Sequence, residues 1–256
     1  MPNSVKGRYE LHDVYTALAL LSRIPLPIDH DRAGERSSQA VWAYPIAGLI
    51  IGIIVSVIAS IWSWFGLPVG LVAAVVLTAQ IILTGAMHED GLADSADGLW
   101  GGWNREKRLE IMKDSHIGTY GVLALGLSLI VRWVALTTLI EAGWMWCAVI
   151  AAAVLSRVPM TILMNKLQFA RAGGLARSVG HPDRQAVATA IVIGLAVTTL
   201  ITGWMIIPIF IFVGLATIKA MWIAQTKIGG QTGDILGATQ QLAEITILGV
   251  LASIAV

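Results

Sequence analysis

Seven apolar runs of about 20 residues recur along this chain, at about 41–65, 68–87, 118–140, 143–164, 186–203, 204–226 and 237–255. About 20 mostly apolar residues let a helix cross a hydrocarbon core about 30 Å thick. The pattern therefore predicts an all-α polytopic membrane bundle of about seven transmembrane helices, with residues 1–256 forming one integral membrane domain. The stretch from 186 to 226 is long enough for two helices, and Thr202-Gly203 is its natural break. Six crossings, with the last segment half-inserted, is the competing count. Ahead of the first run, MPNSVKGRYELHD is polar and holds acids, while Val14 to Leu21 is short. That makes a poor signal peptide, and an internal helix lying on or dipping into the membrane fits better. No internal repeat points to a transporter built from two halves.

Composition agrees with the pattern. Of the 256 residues, 56% are hydrophobic and 13% charged, against about 45–50% and about 25% in soluble domains. Mean hydropathy is +0.76, and there are 10 Trp residues. A net charge of +1 and a pI of about 7.9 leave no basic excess of the kind a nucleic-acid binder shows. Cys147 is the one cysteine, which excludes an internal disulfide and a Cys-based zinc site.

The basic residues orient the spans. Lys6, Arg8, Arg23, Arg32 and Arg36 precede the first, and Arg105, Lys107, Arg108 and Lys113 lie between the second and third. Lys166, Arg171, Arg177 and Arg184 follow the fourth, and Lys227 follows the sixth. The alternate connections, near Gly66-Leu67, Glu141-Ala142-Gly143 and Thr202-Gly203, hold no Lys or Arg. The positive-inside rule then puts the N-terminus and long loops in the cytoplasm and the C-terminus outside. Trp62, Trp64, Trp144, Trp146 and Trp204 fall at the opposite ends, as an outer aromatic belt would.

Acidic residues concentrate in one cytoplasmic segment, 88–117, which is the expected catalytic loop and helix. It holds His88-Glu89-Asp90-Gly91-Leu92-Ala93-Asp94-Ser95-Ala96-Asp97-Gly98. Asp90, Asp94 and Asp97, at i, i+4 and i+7, fall within about 60° of one helical face. Carboxylates so close repel one another unless cations sit among them, and oxygen-only ligands favour Mg²⁺ or Mn²⁺ over zinc. His88 and Glu89 lie off that face but are near enough to assist. A merely solvated face usually mixes signs at i, i+4 spacing, whereas no base occurs between residues 89 and 104. A second helix is expected from Asn104 through NREKRLEIMKDSHIG, bringing Glu106, Glu110, Lys113 and Asp114 near one another. Acids for metal and bases for phosphate is the usual division in phosphoryl transfer.

Two glycine-rich loops lie on the same side. Arg171-Ala172-Gly173-Gly174-Leu175-Ala176-Arg177 joins spans four and five, and Gly229-Gly230-Gln231-Thr232-Gly233-Asp234 precedes the last helix. Exposed backbone N–H groups there suit phosphate, although neither loop has a P-loop's Lys-Ser or Lys-Thr. Asp234 is read either as a metal ligand or as the cap of that helix. Arg132, Arg157, Lys219 and Glu244 fall inside spans, where charge is expensive and marks a site. Arg157 and Lys219 are in cytoplasmic halves, within reach of an anion, and Lys219 has snorkelling as an alternative. Arg132 is nearest mid-depth and calls for a partner; Glu244 is a candidate, though sequence alone does not pair them.

HEDGLADSADG followed by RLEIMKDSHIGTYGVLAL closely resembles the signature of the cobalamin synthase, or adenosylcobinamide-GDP ribazoletransferase, family. The resemblance extends to Ser22-Arg23-Ile24-Pro25-Leu26-Pro27, Tyr44-Pro45-Ile46-Ala47-Gly48, Ala170-Arg171-Ala172-Gly173-Gly174-Leu175 and GGQTGDILGA. Glu89 departs from it, standing where the family commonly has an apolar residue. The resemblance implies a multi-pass enzyme of a bacterial or archaeal inner membrane that joins adenosylcobinamide-GDP to α-ribazole or α-ribazole 5′-phosphate and releases GMP. Mg²⁺ is its expected cofactor, held by Asp90, Asp94 and Asp97, with Asp234 as a further ligand. Asp114 or a cluster acid would be the base. Arg171, Arg177, Lys113 and Arg157 would hold phosphate, with His88, Gly173, Gly174, Gly229, Gly230, Thr232 and Gly233 as further substrate contacts. A homo-oligomer, or association with other late cobalamin-assembly enzymes in the lipid bilayer, is compatible with this reading.

Three rivals share parts of the pattern. CDP-alcohol phosphotransferases place Ala-Arg shortly after Asp-Gly, whereas Leu92-Ala93-Asp94 follows here. UbiA-type prenyltransferases usually repeat their Asp-rich motif in a second loop, and GGQTGD is not Asp-rich. A divalent-cation transporter predicts acids deep within several spans, where Glu244 is the clear case.

Overall fold

The computed structural model describes residues 8–256, so Lys6 of the orienting basic set lies outside the described residues. Helices account for all regular structure among the described residues, apart from one isolated parallel bridge between Phe169 and Gln231. In chain order they are α1 (Leu11–Leu21), α2 (His30–Arg36), α3 (Tyr44–Trp64), α4 (Val69–Thr84), α5 (Met87–Gly101), α6 (Arg105–Ile111) and α7 (Thr119–Glu141). Then follow α8 (Met145–Leu155), α9 (Arg157–Lys166), α10 (Leu175–Val179), α11 (Arg184–Thr202), α12 (Ile206–Ile228) and α13 (Gly233–Ala255).

The all-α membrane bundle is as the pattern predicts, while the count of seven is not confirmed. Five helical stretches are long and apolar enough to cross a membrane, or six if a bent pair counts as one. That pair is α4 and α5, which meet at 89°. The expected span 68–87 stops at Thr84 because Gly85 and Ala86 both adopt left-handed backbone, with φ of 65° and 57°. Such a conformation cannot continue a right-handed helix. Residues 184–228 enter the count as one stretch of 45 residues. A straight helix of that length would be about 67 Å long, yet His181 and Gln231, just beyond its two ends, both hydrogen-bond to the Met164 carbonyl. The chain therefore turns back between them, at the Gly203 break.

Buried at the centre is α8, whose sequence AVIAAAVL is apolar on every side. Gly48 of α3 lies directly against Ala153, where a side chain would collide with the backbone carbonyl, and Gly52 packs tightly on Ile150. Pro159 lacks the N–H that the Leu155 carbonyl needs, so α8 and α9 part at Ser156. One apolar cluster, around Val72, Leu136, Leu139 and Leu251, fills one half of the bundle. A second, around Leu21, Tyr44, Met164 and Ile228, fills the other and lies beneath the glycine loops. On α1, Asp13 is fully buried and paired with Arg36 at 2.7 Å and Trp42 at 2.9 Å. This ties the short N-terminal helix to the start of α3.

Candidate active site

The acids of this segment sit on a helix, the conformation their spacing implies. Residues 87–101 form α5, which packs chiefly along α13 and α7. It approaches α13 closely because Gly91 and Gly237 meet at the crossing, where a Cβ on Gly91 would stand 2.8 Å from the Asp234 carbonyl. That contact sets Asp90 and Asp94 of α5 beside Asp234 of α13. Asp94 is partly buried and within electrostatic reach of Asp90, Asp234 and Asp97, with Arg171 as the offsetting cation.

Capping falls to Thr232, whose hydroxyl accepts from Ile235 N at 3.3 Å. Asp234 is therefore not the cap of α13. Its carboxylate instead accepts from Arg171 Nη2 and Thr232 Oγ1, both at 3.2 Å. Arg171 Nη1 is buried without a partner, leaving one guanidinium donor unspent beside the carboxylates.

The two glycine loops run side by side. Ala170 N donates to Gln231 O at 2.9 Å, and Gln231 N donates to Gln168 O at 2.8 Å. Gly230 sits so close to the Gln168 carbonyl that no side chain fits there. Gly229 ends α12 in left-handed backbone, and Gly174 (φ +100°) starts α10 with the Arg171 side chain against it. Gly173 borders open space, and Gly233 opens α13. Arg177 stacks over Phe169, 5.4 Å from the ring centre.

Other expected site residues lie elsewhere. Asp97 accepts from Gly118 N at 2.7 Å and Gly121 N at 2.9 Å. It serves as the cap of α7, whose own N-cap, Gly118, has no side chain to offer. The helix from Asn104 ends at Ile111, so Lys113 and Asp114 leave the face that carries Glu106 and Glu110. Asp114 is exposed and bonds His116 at 2.7 Å. That bond holds the Asp114 carboxyl below, and the His116 imidazole above, its usual range. Lys113 is exposed.

Arg157 is buried in the bundle, donating to the Ala153 carbonyl, and does not reach the loops. It shares a small polar cavity with His88, Glu89, Arg132, Gln240, Gln241 and Glu244. There Arg132 bonds Glu89 and Glu244, each at 3.2 Å. The sequence reading missed the Glu89 half of that pair. Arg105 and Arg108, read from the sequence only as part of the basic set, donate to backbone carbonyls. Arg105 donates to Ile228 O and Ala170 O, and Arg108 to Lys227 O, pinning α6 under both loops. Their register at i and i+3 on a helix following the acids was the available signal.

No three His, Cys, Asp or Glu side chains among the described residues are gathered as a metal cage. Mg²⁺ does not require one, since it is usually held by one or two carboxylates, waters and substrate phosphates. The donor set at the α5–α13 crossing is oxygen only, so one or two of Asp90, Asp94 and Asp234 would suffice for such an ion.

The cobalamin-5-phosphate synthase family model matches residues 13–252. The chain is 39% identical over 256 residues to an adenosylcobinamide-GDP ribazoletransferase of Mesorhizobium japonicum, covering 100% of this chain and 98% of the relative. It is 40% identical to the protein of that name in Bradyrhizobium diazoefficiens, over 99% and 98%. With the one in Azorhizobium caulinodans it shares 42%, over 94% and 96%. No solved structure matches.

Proposed function

This chain belongs to the cobalamin-5-phosphate synthase family, and from that membership we propose that it joins adenosylcobinamide-GDP to α-ribazole, or to its 5′-phosphate, with release of GMP. The observation that carries the site assignment is the α5–α13 crossing, where three carboxylates meet a guanidinium with a spare buried donor. A ribazole hydroxyl attacks the cobinamide-side phosphorus in line. The new O–P bond forms as the P–O bond to GMP breaks, and a cluster carboxylate, Asp90 or Asp94, takes the hydroxyl proton. Arg171 holds the diphosphate through Nη1, and Arg177 with the backbone around Gly173 and Gly174 flanks it. Asp234 with the other of Asp90 and Asp94 would hold Mg²⁺, which when bound offsets negative charge on the diphosphate and the departing GMP. Asp114, exposed and engaged by His116, is poorly placed as the base.

Purified protein in detergent or liposomes, given adenosylcobinamide-GDP, α-ribazole and Mg²⁺, should release GMP and form the corrinoid product in equal amounts. A chelator should stop both. Absence of product under conditions where an authentic family member works would overturn the assignment.

The multi-pass chain belongs, on this reading, in a cytoplasmic membrane with the site facing the cytoplasm. Arg105, Arg108, Lys113, Arg171 and Arg177 all lie at the end of the bundle that carries the acids, which supports that orientation. A periplasmically active reporter fused after Val256 should be active and a cytoplasmic one silent. The reverse pattern would invert the topology.

A further inference from the structure

An apolar cavity of about 210 Å³ opens on the flank of the bundle, away from the carboxylates. Leu99 and Trp100 of α5, Ala124 of α7, Ala220 of α12 and Leu242 of α13 line it. It exists because α7 and α12 both pack on α13 but not closely on each other, and the side chains along the gap are small. At about 100° per residue, Leu92, Ala96 and Leu99, which line it from α5, fall on the side of that helix opposite Asp90 and Asp94. At the end nearer the glycine loops stands Lys227, whose Nζ donates to Leu99 O at 2.7 Å and lies 4.5 Å from the Trp100 ring centre. Arg108 donates to the Lys227 carbonyl, and neither cation has an acidic partner among the described residues. We propose that this cavity seats one acyl chain of an anionic phospholipid, whose phosphate is held by Lys227 and Arg108.

Depth, width and charge select that occupant. Ala220 and Lys227 are two turns apart on α12, so the cavity runs about 10 Å along the bundle from the cation. Trp222 and Leu242 are exposed around it, so its mouth meets lipid hydrocarbon. A hollow there forfeits dispersion contacts unless something fills it, and an acyl chain is thin enough to enter. A helix of a second copy, about 10–12 Å wide with its side chains, is too broad for this space. The headgroup follows from the cation pair. Two positive groups side by side without an acid favour an anionic headgroup, whereas a zwitterionic one brings its own cation up against them. Basic pockets between spans recognise anionic lipids in this way, and Trp100 beside Lys227 is an indole of the kind that sits at headgroup level. The site goes beyond the transferase reading and does not depend on it, since none of its residues belongs to the carboxylate crossing.

The test titrates the full chain in a mild detergent with phosphatidylglycerol or with phosphatidylcholine of the same acyl chains, and counts bound lipids by native mass spectrometry. The first phosphatidylglycerol should bind at least about fivefold more tightly than the first phosphatidylcholine. In Lys227→Gln that preference should shrink to about twofold or less. Ala220→Phe, which fills the cavity from α12, should remove the tight site for both lipids, while Leu200→Phe on the exposed face of α11 should leave it intact. If Ala220→Phe fails to fold, Ala124→Phe fills the same space from α7 and decides in its place. Equal affinity for the two lipids in the wild type would overturn the proposal, as would a tight site that survives the filled cavity. Glycerol 3-phosphate at matched ionic strength should not displace the lipid. Displacement at equal molar concentration would mean that the cations serve a free phosphate and that the cavity adds nothing. Lipid-free dimers that Ala220→Phe dissociates would assign the face to a second copy and sink the lipid.

Discussion

Replacing Asp94 by Asn should lower kcat by about 10³-fold, corresponding to about 4 kcal/mol of lost transition-state stabilisation of the size a bound cation contributes. The protein should nonetheless insert and fold normally. Asp94 is the carboxylate on which Asp90, Asp234 and Asp97 all act, so removing its charge relieves repulsion in the free protein. Without Mg²⁺ the variant should unfold at the same temperature as wild type or higher. With Mg²⁺, wild type should gain stability by mass action, and the variant should gain little. Turnover by Asp94→Asn near the wild-type level would reduce α5 to a solvated acidic face. A fall in stability without Mg²⁺ would mean that Asp94 holds the fold together instead of holding a ligand.

What the sequence made legible and what it concealed separate along one physical line. Patterns within one helix were readable: the apolar periods of α3, α7 and α13, the Asn104 cap of α6, and the spacing that puts Asp90 and Asp94 on one face. Partnerships between helices were not. Asp97 looks from its spacing like a third member of the acidic face, and the structure turns it to the bare N-terminus of α7. Arg157 looks able to reach an anion from its depth, but Pro159 and the break at Ser156 set it inward among Glu89 and Glu244. The second span was overrun because hydropathy averaging is blind to two residues of left-handed backbone at Gly85-Ala86. Asp234 was assigned two uses by local chemistry, and only the position of Arg171 on a distant loop separates them. The acid-bearing crossing itself was half legible, since Gly91 and Gly237 appear in the sequence without any sign that they meet.

The largest effect on stability should come from Arg132, two helical turns or more from any loop. Its guanidinium is 1% exposed and joins Glu89 of α5 to Glu244 of α13 from its place on α7. Gln241 donates to Glu89 at 3.2 Å, and Gln240 donates to Glu244 at 2.7 Å, so both acids are further bonded from α13. With Arg157 alongside, the cluster holds two cations and two anions. Arg132→Met leaves the pair Glu89 and Glu244 facing only Arg157, a buried uncompensated charge that costs about 3–5 kcal/mol. Glu89→Gln alone errs in the opposite sense, leaving two guanidiniums for Glu244. Combining them restores the balance, because Arg157 and Glu244 remain and the amide oxygen introduced in place of the Glu89 carboxylate still accepts from Gln241. Unfolding in detergent should therefore show the double variant more stable than the sum of the singles by about 2–3 kcal/mol. Additive losses would show that Glu89 and Arg132 do not share one charge balance. The same cycle reaches the chemistry, since Glu89 precedes Asp90 on α5. Arg132→Met should lower kcat through a displaced acidic face, and the double variant should recover part of it.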